Sequence, residues 1–193
     1  MQGDRQNRTP LLTAVFFKNT KIVQFLMKEL SMDAVKNMVD CDKRNILHIG
    51  VLSRNKTILE KVLRLLDESV ISELIKSCDI KGKANFEKLK HVTIYPTLCF
   101  LGNIPLHLAA QTGKLEDLTK RFIDLHQDSD IAIRNEMGQT AFHVAAMSGN
   151  KVMIEELYRR DKEAKELSLL HTSDIELNSP LHLASLHKVN FEY

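Results

Sequence analysis

Four histidines, His48, His107, His143 and His182, are the side chains in this sequence best suited to chemistry. Imidazole binds zinc, relays protons and hydrogen-bonds, so a recurring set raises a metal or acid–base site first. Their spacing argues against it. Each occupies the same place in a recurring phrase, with 59, 36 and 39 residues between successive members. Four histidines in four separate units stand too far apart to share an ion. The expectation is a structural role, with each ring bonded to turn backbone and packed between units. His91, His126, His171 and His187 show neither His-x-x-x-His nor Cys/His ligand spacing. Gly82-Lys83 is followed by Ala84 and lacks the upstream glycine of a phosphate loop. No Gly-x-Ser-x-Gly occurs, and Ser168 near His171 has no third partner. The sequence therefore predicts no catalytic residue, no cofactor and no metal site.

The bulk properties agree with that reading. The 193 residues are 44% hydrophobic and 27% charged, ordinary for a globular chain with a real core. A net charge of +2, with Lys and Arg spread along the chain, gives no field for nucleic acid. Cys41, Cys78 and Cys99 form no Cys-x-x-Cys pair, and their odd number fits a reducing compartment. The start, MQGDRQNR, has no apolar signal region. The apolar run from Ile94 to Leu101 is broken by Pro96 and too short to span a bilayer. A cytoplasmic protein without membrane insertion is expected.

The histidines are held by a repeated frame. Aligned on PLHLAA, five segments coincide, with turn-to-helix positions at Thr9, Asn45, Ile104, Thr140 and Ser179. Thr, Asn or Ser at four of the five can cap a helix by accepting a bond from an orphan N–H. Pro10, Pro105 and Pro180 follow at the first helical position, where a missing N–H costs nothing. Small residues (Ala14, Gly50, Ala109, Ala145 and Ala184) come five places after the cap and let neighbouring helices approach. A turn-forming Asp or Asn precedes most caps by five places: Asp4, Asp40, Asn135 and Asp174. A second apolar helix follows each of the first four helices, after turns such as Gly113-Lys114 and Gly149-Asn150.

The third unit is split. Its acid is Asp79, yet its cap is Ile104, so the second spacing is 59 where the others are 36, 36 and 39. Removing the twenty residues from Lys83 to Gly102 restores a spacing of 39 and joins DIKG to NIPLHLAA. One reading is a loop tolerated at an exposed tip. A second is a longer functional finger, since HVTIYPTLCFL is apolar enough for a short strand or a sticky patch. A third is translated intron, because Gly82-Lys83 and Cys99-Phe100-Leu101-Gly102 can be encoded by donor-like and acceptor-like codons. Residues 189–193 carry a similar donor-like trace.

These residues resemble the ankyrin repeat, whose motif runs D-x-x-G-x-T-P-L-H-x-A-A over about 33 residues. The likeness covers nearly the whole chain apart from the insert. Leu12 in place of the histidine, Ile46 in place of proline, Ile104 in place of threonine and Gly50 in place of alanine depart from it. The resemblance implies an all-α solenoid of stacked helix pairs. Its repeats are expected at about 4–36, 40–76, 79–130 with insert 83–102, 135–170 and 174–193, the last truncated. Turns then project as fingers, and fingers with first helices form a concave face. The fifth repeat lacks a second helix, so Leu181 and Leu183 are expected to lack cover and this end to fray. On that reading the natural protein continues beyond Tyr193.

The function implied is a non-catalytic scaffold that binds another protein of unknown identity, with no nucleic acid partner. An alternative is the cytosolic array of a cation channel. The segment from GQTAFHVAAMSGN to IELNSPLHLAS is similar to arrays of the ankyrin-type transient receptor potential class. The candidate binding residues on first helices are Phe16, Phe17, Leu52, Gln111 and Met147, where aromatics and methionine can anchor a partner. Arg8, Arg44 and Gln139 on the fingers add polar contacts. Phe16 and Phe17 have a second reading, packing against a preceding repeat.

Overall fold

The computed structural model describes residues 3–79, 102–113, 116–164 and 168–186. Lys83 to Leu101, Lys114 and residues 189–193 lie outside this set, as do Cys99, His91 and His187. Twelve α-helices and no strand are found among the described residues.

Each repeat begins with a short inner helix: α1 (Pro10–Phe16), α4 (Ile46–Leu52), α7 (Pro105–Thr112), α10 (Ala141–Ser148) and α12 (Pro180–Leu186). An outer helix follows in four of them: α2 (Thr20–Glu29), α5 (Lys56–Leu65), α8 (Glu116–Asp124) and α11 (Lys151–Ala164). The inner helices pack in file, α1 on α4, α4 on α7, α7 on α10 and α10 on α12. The file is unbroken across the split third repeat. Isolated seven-residue helices are unstable in water, so burial must hold them. Leu11, Leu12, Ile46, Leu47, Leu106 and Phe142 are all but fully buried along this row. The five small residues are buried too, which allows the close approach expected of them.

Caps set the starts. Thr9 accepts the Leu12 N–H at 3.4 Å, and Asn45 accepts the His48 N–H at 3.1 Å. Asn19, Asn55 and Asn150 do the same for the outer helices at 3.2, 3.0 and 3.2 Å. Asn150 also donates to the carbonyls of Ala109 and Ala110, tying the fourth repeat to the third.

A third short helix in each connecting segment was not legible in the sequence pattern. These are α3 (Met32–Lys36), α6 (Glu68–Leu74) and α9 (Asp128–Ile131), and a 3-10 turn at Leu169–His171 takes the same place in the fourth repeat. They bury Val35, Val70, Ile71 and Leu74 in the core. Polar bonds join them to one another: Lys36 pairs with Glu73, and Lys76 lies 3.2 Å from Asp130.

The fingers explain the split repeat. In four repeats the Asp or Asn donates its backbone N–H to the carbonyl four residues on: Asp4 to Arg8, Asp40 to Arg44, Asn135 to Gln139 and Asp174 to Asn178, at 2.9–3.1 Å. The side-chain oxygen then accepts two N–H groups inside the turn. In the third repeat Asp79 makes the same backbone bond to Asn103 at 2.9 Å, and its carboxylate accepts the Asn103 N–H at 2.7 Å. Asp79 and Asn103 thus pair as residues four apart do in the other fingers, although the sequence puts twenty extra residues between them.

The boundary needs correction. Siblings place Asn7, Lys43, Gly138 and Leu177 in left-handed backbone just before the finger closes, at φ 55°, 55°, 69° and 64°. In the third repeat Gly102 fills that position at φ 69°, which glycine adopts without a Cβ penalty. Gly102 therefore belongs to the finger, and the insertion ends at Leu101.

The last repeat corrects a second expectation. Leu183 is 5% exposed, because α12 lays it against α10. Leu181 sits at the edge of that contact and is exposed, as are Ile175, Leu177 and Leu186.

Candidate functional site

The recurring histidines form a relay between repeats. Nε2 of His48 lies 3.0 Å from the carbonyl of Asn103, that of His107 lies 2.9 Å from Gln139, and that of His143 lies 3.1 Å from Thr172. A carbonyl only accepts, so Nε2 carries the proton and Nδ1 is left as an acceptor. Nδ1 then takes the N–H of the cap residue: Asn45 at 3.3 Å, Ile104 at 3.3 Å and Thr140 at 3.2 Å. At Thr140 the hydroxyl also meets Nδ1, at 2.9 Å. Burial holds His48 and His107 in the neutral form, down to a pKa of about 4, and also lowers His143. His182 takes the Ser179 N–H at 3.1 Å but is exposed, with no next repeat described to receive its Nε2. Among the described residues no group of His, Cys, Asp and Glu is arranged to hold a metal ion.

One further buried histidine escaped the motif. His126 donates Nδ1–H to the Phe122 carbonyl at 2.8 Å, while its Nε2 has no partner. Burial lowers its pKa, and Asp130, held by Lys76, pulls the other way.

The surface residues divide. Phe16, Phe17 and Leu52 come together in an open groove of about 530 Å3 at the C-terminal ends of α1 and α4, completed by Lys18, Ser53 and Arg54. Phe16 is half-buried and meets Phe17 edge to face at 5.3 Å, while Phe17 is 68% exposed. The Arg8 guanidinium lies 3.9 Å over the Phe16 ring, and its Nε is buried without a hydrogen-bond partner. Gln111 and Met147 are half-buried on α7 and α10, away from this groove.

Two finger residues depart from expectation. Gln139 is 4% exposed: its amide donates to the Met147 sulfur and to Asp174 in the next finger, both at 3.5 Å. Stacked fingers bury it, so it offers a partner nothing. Arg44 is drawn into its own turn by Asp42 and Asp40.

Lys18 and Arg54 are not singled out by the repeat motif. The signal was present: they occupy the inter-helix turn position that is Gly113 and Gly149 in the third and fourth repeats. All four have left-handed backbone, at φ 63°, 51°, 60° and 65°.

A family model described as ankyrin repeats (3 copies) matches residues 67–166 and 106–192, together more than half of the chain. The match concerns the repeats alone and adds nothing to the likeness with channel arrays. A search of curated proteins finds no match. No helix among the described residues is long and apolar enough to cross a membrane.

Proposed function

Since the chain belongs to the ankyrin repeat family, we propose that it works as a non-catalytic protein–protein interaction module on the cytoplasmic side of the cell. The observation that carries this reading is the groove of Phe16, Phe17 and Leu52. An aromatic side chain left 68% in water, beside a second aromatic and a leucine, is what a partner's anchor residue covers. The histidine relay supports the non-catalytic part of the reading. Its imidazoles are spent on backbone, neutral and buried, with each Nε2–H given to a carbonyl and each Nδ1 taking a cap N–H. Met147 and Gln111 supply a second, more polar contact further along the inner row.

Affinity capture from cell extract tests the reading with Phe17→Ala and Met147→Ala. The wild type is expected to retain a reproducible set of proteins that Phe17→Ala loses at least in part, with unchanged helicity by circular dichroism. An identical set retained by both variants at equal yield removes the inner-helix surface from consideration.

A further inference from the structure

We propose that the groove between the first two repeats takes an acidic segment of a protein partner. An aromatic or aliphatic anchor enters against Phe16, Phe17 and Leu52, and flanking carboxylates meet Lys18, Arg54 and Arg8. This rests on the interaction-module reading and adds to it the chemistry of the partner.

Charge is the first argument. The chain as a whole carries only +2, yet the two stretches of sequence that supply this groove are rich in cations and poor in acids. Between Asp4 and Glu29 there are five basic residues and no carboxylate. Between Asp42 and Glu60 there are four and again no carboxylate. The acids on the N-terminal side of the second set, Asp40 and Asp42, are already engaged by Arg44. Neither Lys18 nor Arg54 has a salt bridge among the described residues, and both line the groove. An anionic segment is the complement to such a rim, and it would be steered there from solution.

Backbone conformation is the second argument. Lys18 and Arg54 hold left-handed φ values of 63° and 51°, where the third and fourth repeats use glycine. A side chain at that position works against folding. Two adjacent repeats both placing a cation there, on opposite sides of one groove, points to a use for the side chains outside the fold. The third argument is Arg8: its guanidinium carbon lies 3.9 Å from the centre of the Phe16 ring, and its buried Nε lacks a hydrogen-bond partner. Held in that way, the fork can receive a carboxylate with little further loss of freedom.

The test is selection from a displayed library of random short peptides against the whole chain. Enriched peptides are expected to place Asp or Glu beside Phe, Trp or Leu. A synthetic representative should lose at least about tenfold in affinity to Phe17→Ala and to the double reversal Lys18→Glu/Arg54→Glu, and should weaken with added salt. All three positions are exposed, so the variants keep the fold, which circular dichroism checks. Enriched peptides without an acidic bias, or indifferent to the charge reversal, overturn the partner chemistry and leave the interaction module standing. A groove that prefers a single-stranded RNA oligonucleotide to the acidic peptide overturns it as well. If no peptide is enriched while capture from extract still depends on Phe17, this proposal alone fails. If that capture is also indifferent to Phe17, both readings fail together.

Discussion

The joint between the first and second repeats is built differently from the three that follow. In the second and third joints a histidine crosses to the next repeat's finger, and in the fourth His143 reaches the Thr172 carbonyl, two residues before that finger. The first joint has Leu12 at that position, fully buried and non-directional. Its polar ties among the described residues include a finger-to-finger backbone bond, Cys41 N–H to the Gln6 carbonyl at 2.9 Å, and a weak contact from the Thr9 hydroxyl to the Met38 sulfur at 3.4 Å. Its turns carry Lys18 and Arg54 where the third and fourth repeats carry glycine. A buried polar relay fixes register, because any slip orphans a buried donor and an acceptor. An apolar joint tolerates small shifts. The comparison sets joints held by directional histidine bonds against a first joint held mainly by apolar packing, and the open aromatic groove lies at that first joint.

Acid should break the comparison most strongly. His48 and His107 titrate near 4 in the folded array, against an ordinary value of 6.5. Between those values the unfolded chain takes up protons that the folded chain refuses. Stability is therefore whole above 6.5 and falls as pH drops towards 4, by about 3 kcal/mol per histidine at the low end. His143 and His126, lowered by burial, add in the same direction. Asp79 opposes them. Burial raises it to about 7, so it stabilises at low pH and that contribution is lost as pH rises through 7. Asp79→Asn isolates the histidines while keeping the acceptor oxygen, as Asn135 does in the fourth repeat. This variant is expected to unfold between pH 6.5 and 4, with amide protection lost across the later joints. A flat urea-denaturation midpoint over that range would sink the relay as a source of stability.

His107→Ala attacks one joint alone. It leaves the buried Ile104 N–H without its acceptor and removes the bond to Gln139, which should cost about 2–3 kcal/mol. Hydrogen exchange should quicken on both sides of the third joint and not between α1 and α4. Equal loosening of the first joint would show that the array unfolds as one unit and that the two kinds of joint do not differ.

The later joints are the more legible in the amino-acid sequence. The Asp or Asn of each finger, the caps and the histidine position all recur at fixed spacing, and each meets a local requirement that one repeat satisfies by itself or with its neighbour. Gln139 reads as an exposed finger residue because its burial depends on Asp174, 35 residues away. Leu183 reads as uncovered for want of a second helix in the sequence pattern, yet α12 packs on α10 and on the 3-10 turn, and Leu183 is buried. The short third helices escape the pattern because four to seven residues hold too little periodicity to read. Nothing in a sequence marks a left-handed lysine, so Lys18 and Arg54 stand out only beside the glycines at the matching places.

The insertion gives an intermediate effect. Removing residues 82–101 joins Lys81 to Gly102 and leaves Asp79 four places from Asn103, as in the sibling fingers. Shortening the closed segment in this way should stabilise the array by about 1–2 kcal/mol through loop-closure entropy. The deleted chain should keep the circular dichroism spectrum per helical residue and raise the urea midpoint. A lower midpoint would mean that the twenty residues contribute contacts of their own.

The smallest effect probes the left-handed turns. Lys18→Gly and Arg54→Gly should each stabilise the array, because a side chain in this backbone costs about 1–2 kcal/mol. Glycine gives back about 0.5–1 kcal/mol through its freer unfolded state, leaving a net gain of about 0.5–1 kcal/mol. Gly113→Ala should run the other way by about 1 kcal/mol, since an added Cβ meets nothing within 4 Å and only its φ of 60° resists. Urea denaturation of the three variants side by side measures the signs. The two stabilised variants should also lose affinity for an acidic peptide, so that stability and binding move in opposite directions at the same residues. A neutral or destabilising Lys18→Gly would mean that the lysine serves the fold after all, and the contrast between the two ends of the array would then carry no functional meaning.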